Sequence, residues 1–304
     1  MFDLYQTVTD RIVAMLEQGV APWRSPILGR TSAGHPYNLA SGKPYRGVNV
    51  FLLAFTAWAK GYPSPHWLTF NQARQKGGVV KKGEQASMVV FWKKHEIEDK
   101  ETGEAKTVPV LRYYSVFNTE QCDGVPAPGV PPFTPLDFRP IEAAAAIVSG
   151  YSDAPAVTHV GSRAEYLPLS DAVRLPDPTR FVSAEEYYGT LFHEFAHSTG
   201  HSRRLNRGID TKLAPFGSPD YSREELVAEM AAAFLCGQAG IEPVTLENQA
   251  AYLQGWIRVL KGDKRLVITA AGAAQKAADW IRGERLTRQK NAADVDAGDE
   301  IVSG

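Results

Sequence analysis

Residues 191–201 read LFHEFAHSTGH, and residues 222–237 read SREELVAEMAAAFLCG. The first stretch contains HExxH. On an α-helix, positions i and i+4 share a face, so His193 and His197 can aim two imidazoles at one zinc ion. Glu194 then sits beside the metal, where it can take a proton from a zinc-bound water. Ser183 and Glu186 fit a capping box for this helix, and Val182 with Tyr187 fits a hydrophobic staple. Two histidines a turn apart beside Phe192, Phe195 and Ala196 would be hard to satisfy without a metal.

A catalytic zinc needs a third protein ligand. His201 directly follows the helix-breaking Gly200. Arg203 occupies the last position of HExxHxxGxxH, which excludes the metzincin class. The second stretch predicts another helix, with Glu225 and Glu229 one turn apart. Zincins that use a glutamate ligand follow it, four residues on, with an acid that steadies a histidine. Glu225 is therefore preferred as ligand, with Glu229 as the supporting acid or the alternative ligand. Against this, Ser222 and Glu225 also fit a capping box, and Glu224 is expected on the surface. Tyr187, Tyr188, His201 and Tyr221 are candidate donors to an oxyanion. Ahead of the zinc helix, AEYLPLSDAVRLP alternates like a strand pair, and an edge strand there would line a substrate cleft.

Outward from this core, the chain divides. VPAPGVPPFTP, residues 125–135, has five prolines in eleven positions and predicts an extended connector. The expected organisation is an α+β domain over 1–124, a proline-rich linker over 125–140, a mostly helical zincin-like domain with a small sheet over 141–288, and a polar, disordered tail over 289–304. In the first domain, Leu4, Val8, Ile12, Met15 and Leu16 recur at helical spacing, with a stop at Gly19. A second helix is expected from about Val50 to Lys60, capped by Asn49, with Phe51, Phe55 and Trp58 facing the core. Thr69 and Gln72 fit a capping box, and SMVVFWKKHEI and TVPVLRYYSVFN predict a β-hairpin.

The 304 residues carry a net charge of −1, but 21–94 hold eleven basic residues against the single acid Glu84, a local charge of +10. Eleven aromatics are interleaved with them. Cations that track phosphates, alternating with rings that stack on unpaired bases, point to single-stranded DNA. The candidate contacts are Trp23, Arg24, Lys43, Tyr45, Arg46, Arg74, Lys76, Lys81, Lys82, Trp92, Lys93 and Lys94. Two cysteines exclude a disulfide scaffold, and no apolar run is long enough to span a membrane. The acidic, amphipathic N-terminus does not suit a signal peptide, so a cytoplasmic location is expected.

NLASGKPYRGVNVFLL, TFNQARQKGGVVKKGEQASMVVFWKK, FNTEQCDG, HEFAHSTGHSRRLNR and REELVAEMAAAFL together closely resemble the ArdC-type antirestriction proteins. The N-terminal module is also similar to that of plasmid DNA primases. The resemblance implies a plasmid- or mobile-element-encoded protein whose first domain binds single-stranded DNA entering a recipient cell. It further implies a zincin-like metallopeptidase domain with His193, His197 and a glutamate of EELVAE at zinc, and Glu194 as the catalytic residue. A host restriction or replication protein would be the peptide substrate. The competing readings are a non-enzymatic DNA-protection protein with structural zinc, and a primase-associated accessory module.

Overall fold

The computed structural model describes residues 3–23, 35–98, 105–126, 140–181, 183–211, 215, 218–241 and 249–284. The expected N-terminal helix is α1 (Leu4–Glu17), capped where Asp3 accepts a hydrogen bond from Gln6 N at 3.1 Å. It is followed by β1 (Tyr37–Asn38), α2 (Val48–Lys60), β2 (His66–Leu68), α3 (Phe70–Gln75), β3 (Val79–Val80), the long hairpin β4 (Ser87–Glu98) and β5 (Ala105–Asn118), and β6 (Cys122–Asp123). The Thr69–Gln72 capping box is formed. α2 ends at Gly61, whose φ of +66° is a left-handed stop that suits a residue without Cβ.

The main sheet has the order β1-β2-β5-β4, parallel between β1 and β2 and antiparallel elsewhere. β4 is its edge, and an unpaired edge invites foreign strands. Asn49 occupies it at Val90: its side-chain amide donates to Val90 O and its carbonyl accepts from Val90 N, both at 2.7 Å. The expected cap role of Asn49 is therefore corrected. α2 begins two residues earlier, after Gly47, and Asn49 serves the sheet instead.

The C-terminal part comprises α4 (Pro140–Gly150), β7 (Ala156–His159), β8 (Glu165–Leu167), β9 (Ala172–Leu175), α5 (Ala184–Ser198), α6 (Pro219–Ala239), α7 (Gln249–Gly262) and α8 (Leu266–Ile281). Its small sheet has the order β7-β9-β8, which leaves β8 at an edge. α6 is the central post. Residues Leu226–Cys236 are buried on every side, and the run Ala231–Ala233 lets α4, α5 and α8 pack closely around it. The molecule thus pairs a mixed α+β part with a mostly helical part bearing a small sheet.

The two parts share one hydrophobic cluster. Phe51 of α2 stacks on Phe234 of α6 with ring centroids 5.0 Å apart. Trp23 meets Trp256 edge-on at 5.9 Å, and its Nε1 donates to the Tyr252 hydroxyl at 2.8 Å. Thr9 donates to Lys264 O at 2.8 Å, and Arg46 forms an ion pair with the buried Asp279. Among the described residues, no helix is long and apolar enough to cross a membrane.

Candidate metal centre

α5 starts where Ser183 accepts a hydrogen bond from Glu186 N at 3.2 Å, with Glu185 and Glu186 in the positive first turn. Val182, half of the expected staple, lies outside the described residues. The buried face of α5 carries Leu191, Phe192, Glu194, Phe195 and Ala196. Packing of that face fixes the rotation of the helix and turns His193 and His197 toward α6.

α6 is capped by Ser218, which accepts from Tyr221 N at 3.2 Å, and Pro219 opens its first turn. The helix therefore begins a turn earlier than a Ser222 cap requires. Glu225 is released from capping, because it stands in the second turn. Its carboxylate reaches His193 Nε2 at 3.5 Å and His197 Nε2 at 3.6 Å. The two Nε2 atoms are 3.1 Å apart. His193, His197 and Glu225 form the one metal-ligand cluster of three among the described residues.

The other candidates fall elsewhere. Glu229 lies one turn further along α6, buried and outside this cluster. His201 is occupied: its Nδ1 accepts from Arg203 N at 3.1 Å, and its Nε2 faces Asp210 at 3.6 Å. The acid that reaches the back of a histidine is Glu224, not Glu229 and not a surface residue. His197 Nδ1 donates to Glu224 Oε1 at 3.4 Å, and Arg207 grips both Glu224 oxygens at 2.6 and 2.8 Å. Sequence spacing missed this pair because Arg207 comes from an irregular loop.

The electrostatics suit a cation. Burial would lower the His197 pKa, but the Glu224 hydrogen bond and the charges of Glu224, Glu194 and Glu225 lift it to about 9. Burial would raise Glu225, yet the His193 hydrogen bond, the two imidazoles and the Tyr221 hydroxyl hold it at about 2. The three ligand groups converge in surroundings that favour positive charge, which a cation can supply.

A cleft of about 870 Å³ opens over these residues. Glu194 stands at its floor, buried, next to the ligand cluster. Ala164, Glu165, Tyr166 and Pro168, in and around β8, form one wall, and Thr269, Ala270 and Ala273 of α8 form another. Of the proposed oxyanion donors, Tyr221 lines the cleft and bonds Glu225. Tyr187 is engaged with His159 at 3.2 Å, and Tyr188 packs on Phe192.

In the basic half, the expected DNA contacts separate into two groups. Trp23 and Tyr45 are core residues, 1% and 4% exposed, and Arg46 is committed to Asp279. Arg24 lies outside the described residues. Lys43, Arg74, Lys81, Lys82, Trp92, Lys93 and Lys94 are exposed and Lys76 is half-buried, but strand alternation puts Lys93 and Lys94 on opposite faces. Trp58, expected inside, is exposed, as are Phe70 and Tyr37. The Tyr37 ring meets His35 edge-on at 5.6 Å and His66 at a tilt at 6.4 Å.

A family model for the N-terminal domain of anti-restriction factor ArdC matches residues 2–117, and one for zincin-like metallopeptidases matches residues 143–273. Protein y4eC of Sinorhizobium fredii is 34% identical over 297 residues, spanning 95% of this chain and 94% of y4eC. A DNA primase TraC of Escherichia coli is 34% identical across 91% of this chain, which spans only 20% of that primase. The metal-free crystal structure of antirestriction protein ArdC from plasmid R388 superposes with a TM-score of 0.74 at 40% identity, covering 93% of this chain and 98% of its own. The Mn(II)-bound structure gives 0.74 at 38% identity, covering 95% and 100%.

That Mn(II) corrects the expectation of zinc. Two imidazoles and a carboxylate contain no thiolate to select zinc, and such a mixed nitrogen and oxygen set with open positions also accepts manganese. Both halves, their order and the His-His-Glu cluster place this chain in the ArdC antirestriction family, with an ArdC N-terminal domain followed by a zincin-like metallopeptidase domain.

Proposed function

We propose that the chain is a cytoplasmic antirestriction protein that binds single-stranded DNA with its basic half and hydrolyses a protein strand held in the metal cleft. The observation that carries the peptidase reading is Glu194, a buried carboxylate on the cleft floor beside three converging ligands. A purely structural metal has no use for a general base in that place.

A divalent cation on His193, His197 and Glu225 would supply Lewis acidity for a scissile carbonyl. The chain's own groups do the rest. The edge of β8 offers free backbone donors and acceptors to an extended substrate. Glu194 accepts the proton of the attacking water on a carboxylate oxygen and returns it to the leaving amine. Tyr221, its pKa pushed up to about 12 by burial and by Glu225, stays a neutral phenol able to donate to a developing oxyanion. The substrate class is an extended segment of a host restriction or replication protein near the incoming strand. In the basic half, exposed Lys43, Arg74, Lys81 and Lys82 would track phosphates while Tyr37, Phe70 and Trp92 offer ring faces.

The match to the primases spans only 20% of one of them and adds no second site for nucleotidyl transfer among the described residues. Among the described residues, His193, His197 and Glu225 are the one such metal-ligand cluster. The deciding experiment loads wild type and Glu194→Gln with Mn(II) and offers both an unfolded protein such as casein. Wild type should cut and Glu194→Gln should not, at equal metal content. No cutting by either leaves a DNA-protection protein with a structural metal. Metal loss in Glu194→Gln would make Glu194 a ligand.

A further inference from the structure

Glu224 and Glu225 are neighbours on α6, yet they approach His197 from opposite sides. Glu225 faces Nε2, and Glu224 accepts from Nδ1. Glu224 is in turn held by Arg207 through two charge-assisted bonds at 2.6 and 2.8 Å, in the bidentate arrangement that fixes a carboxylate plane. The guanidinium spends its other donors on the end of α5: Nη1 on Thr199 Oγ1 and Nη2 on Ala196 O, both at 2.8 Å. Arg207 N also donates to Gly200 O at 2.8 Å. One residue therefore binds the last turn of the histidine helix to the glutamate helix.

Gly200 makes this approach possible. A Cβ there would lie 2.9 Å from Arg207 Nη2 and 3.1 Å from its Cζ, so any larger residue would push the guanidinium away. Gly200, three residues after His197 in Ser-Thr-Gly, thus serves the arginine.

We propose that Glu224 and Arg207 are positioning residues of the metal centre. Glu224 holds the Nδ1 proton of His197 so that the Nε2 lone pair points at the cation. Arg207 holds Glu224 and, with it, the spacing between α5 and α6 that brings Glu225 to both histidines. Partners of this kind orient a ligand and raise its basicity, and their removal typically costs ~10–100-fold in metal affinity. The inference shares only the ligand cluster with the peptidase reading, and metal affinity is read without any substrate, so either can fail alone.

The test titrates the full chain with Mn(II), reading the free ion by electron paramagnetic resonance, and records the melting temperature of each metal-free variant. Glu224→Gln should weaken Mn(II) binding ~10–100-fold. Glu224→Asp should recover part of that loss, because it keeps the charged acceptor. Arg207→Lys keeps the charge but loses the fork, and should weaken binding as well. If the two residues act as one device, Glu224→Gln combined with Arg207→Lys should lose much less than the product of the single losses. The proposal is overturned if folded Glu224→Gln binds Mn(II) within about twofold of wild type, or if the two losses simply multiply. If Glu224→Gln does not fold, the Glu224→Asp and Arg207→Lys arms decide: unchanged Mn(II) affinity in both overturns it.

Discussion

The metal-bearing half and the basic half differ in how directly their sequences specify their surfaces. In the first, the chemistry lies on two helices, where spacing alone determines which side chains share a face. His193, His197 and Glu225 meet because i, i+4 is a local rule and the burial of α5 and α6 leaves one way to face them. In the second, charge and aromatic content name a class of partner, but the rings with the most informative neighbours, Trp23 and Tyr45, are core residues. A stacking surface is set by tertiary packing, which composition does not encode. Local geometry transfers from sequence to structure; surface identity does not.

The sharpest way to break this comparison is at the third ligand. Glu225→Gln should lose Mn(II) by several orders of magnitude, because it removes one of three protein donors, while Glu229→Gln should retain it. Isothermal titration with Mn(II) separates the two, and metal loss from Glu229→Gln alone would mean that helix spacing had chosen the wrong acid.

In the basic half, Trp23→Ala should lower stability by ~3–5 kcal/mol as a lost core ring. Tyr37→Ala should leave the melting temperature alone and weaken single-stranded DNA by ~1–3 kcal/mol as a lost stacking face. Denaturant unfolding and fluorescence anisotropy on both variants provide the check. A Trp23→Ala protein that folds normally yet loses DNA would restore the sequence-based assignment.

The smallest effect is in pH. The ion pairs that lift His197 from 6.5 to about 9 stabilise the metal-free fold below pH 6.5, and that contribution is lost as pH rises through about 9. Mn(II) needs the deprotonated ring, so its affinity moves the other way. Across this window the melting temperature of the metal-free protein should fall, and the increment on adding Mn(II) should grow. A constant increment would show that His197 carries no displaceable proton.

Most of the secondary structure was readable. α1 and α5 each have an apolar period with a capping residue or a stop, α3 has its capping box, and the β4–β5 hairpin has two β-rich runs around a charged loop; α6, buried on every side, shows no such period. What escaped depended on contacts far apart in sequence. Asn49 looks like a helix cap until β4 is seen beside it, offering Val90 N and O. Glu224 looks like a surface acid until Arg207 arrives from a loop without periodicity. Trp58 keeps helical register with Phe51, yet it lies near the end of α2 where the core has run out.

The shared cluster that joins Phe51 to Phe234 and Trp23 to Trp256 bears on how such a chain can be assembled or dismantled. Lone modules can be cut out and grafted when few contacts cross their boundary. Here severing the chain near Gly124 would strand half of a stacked ring pair on each fragment and leave Asp279 a buried carboxylate without its arginine. Heat should melt the intact protein as one cooperative event rather than two. A longer polypeptide that adopts this pair has to inherit both pieces together, as a single interlocked cassette.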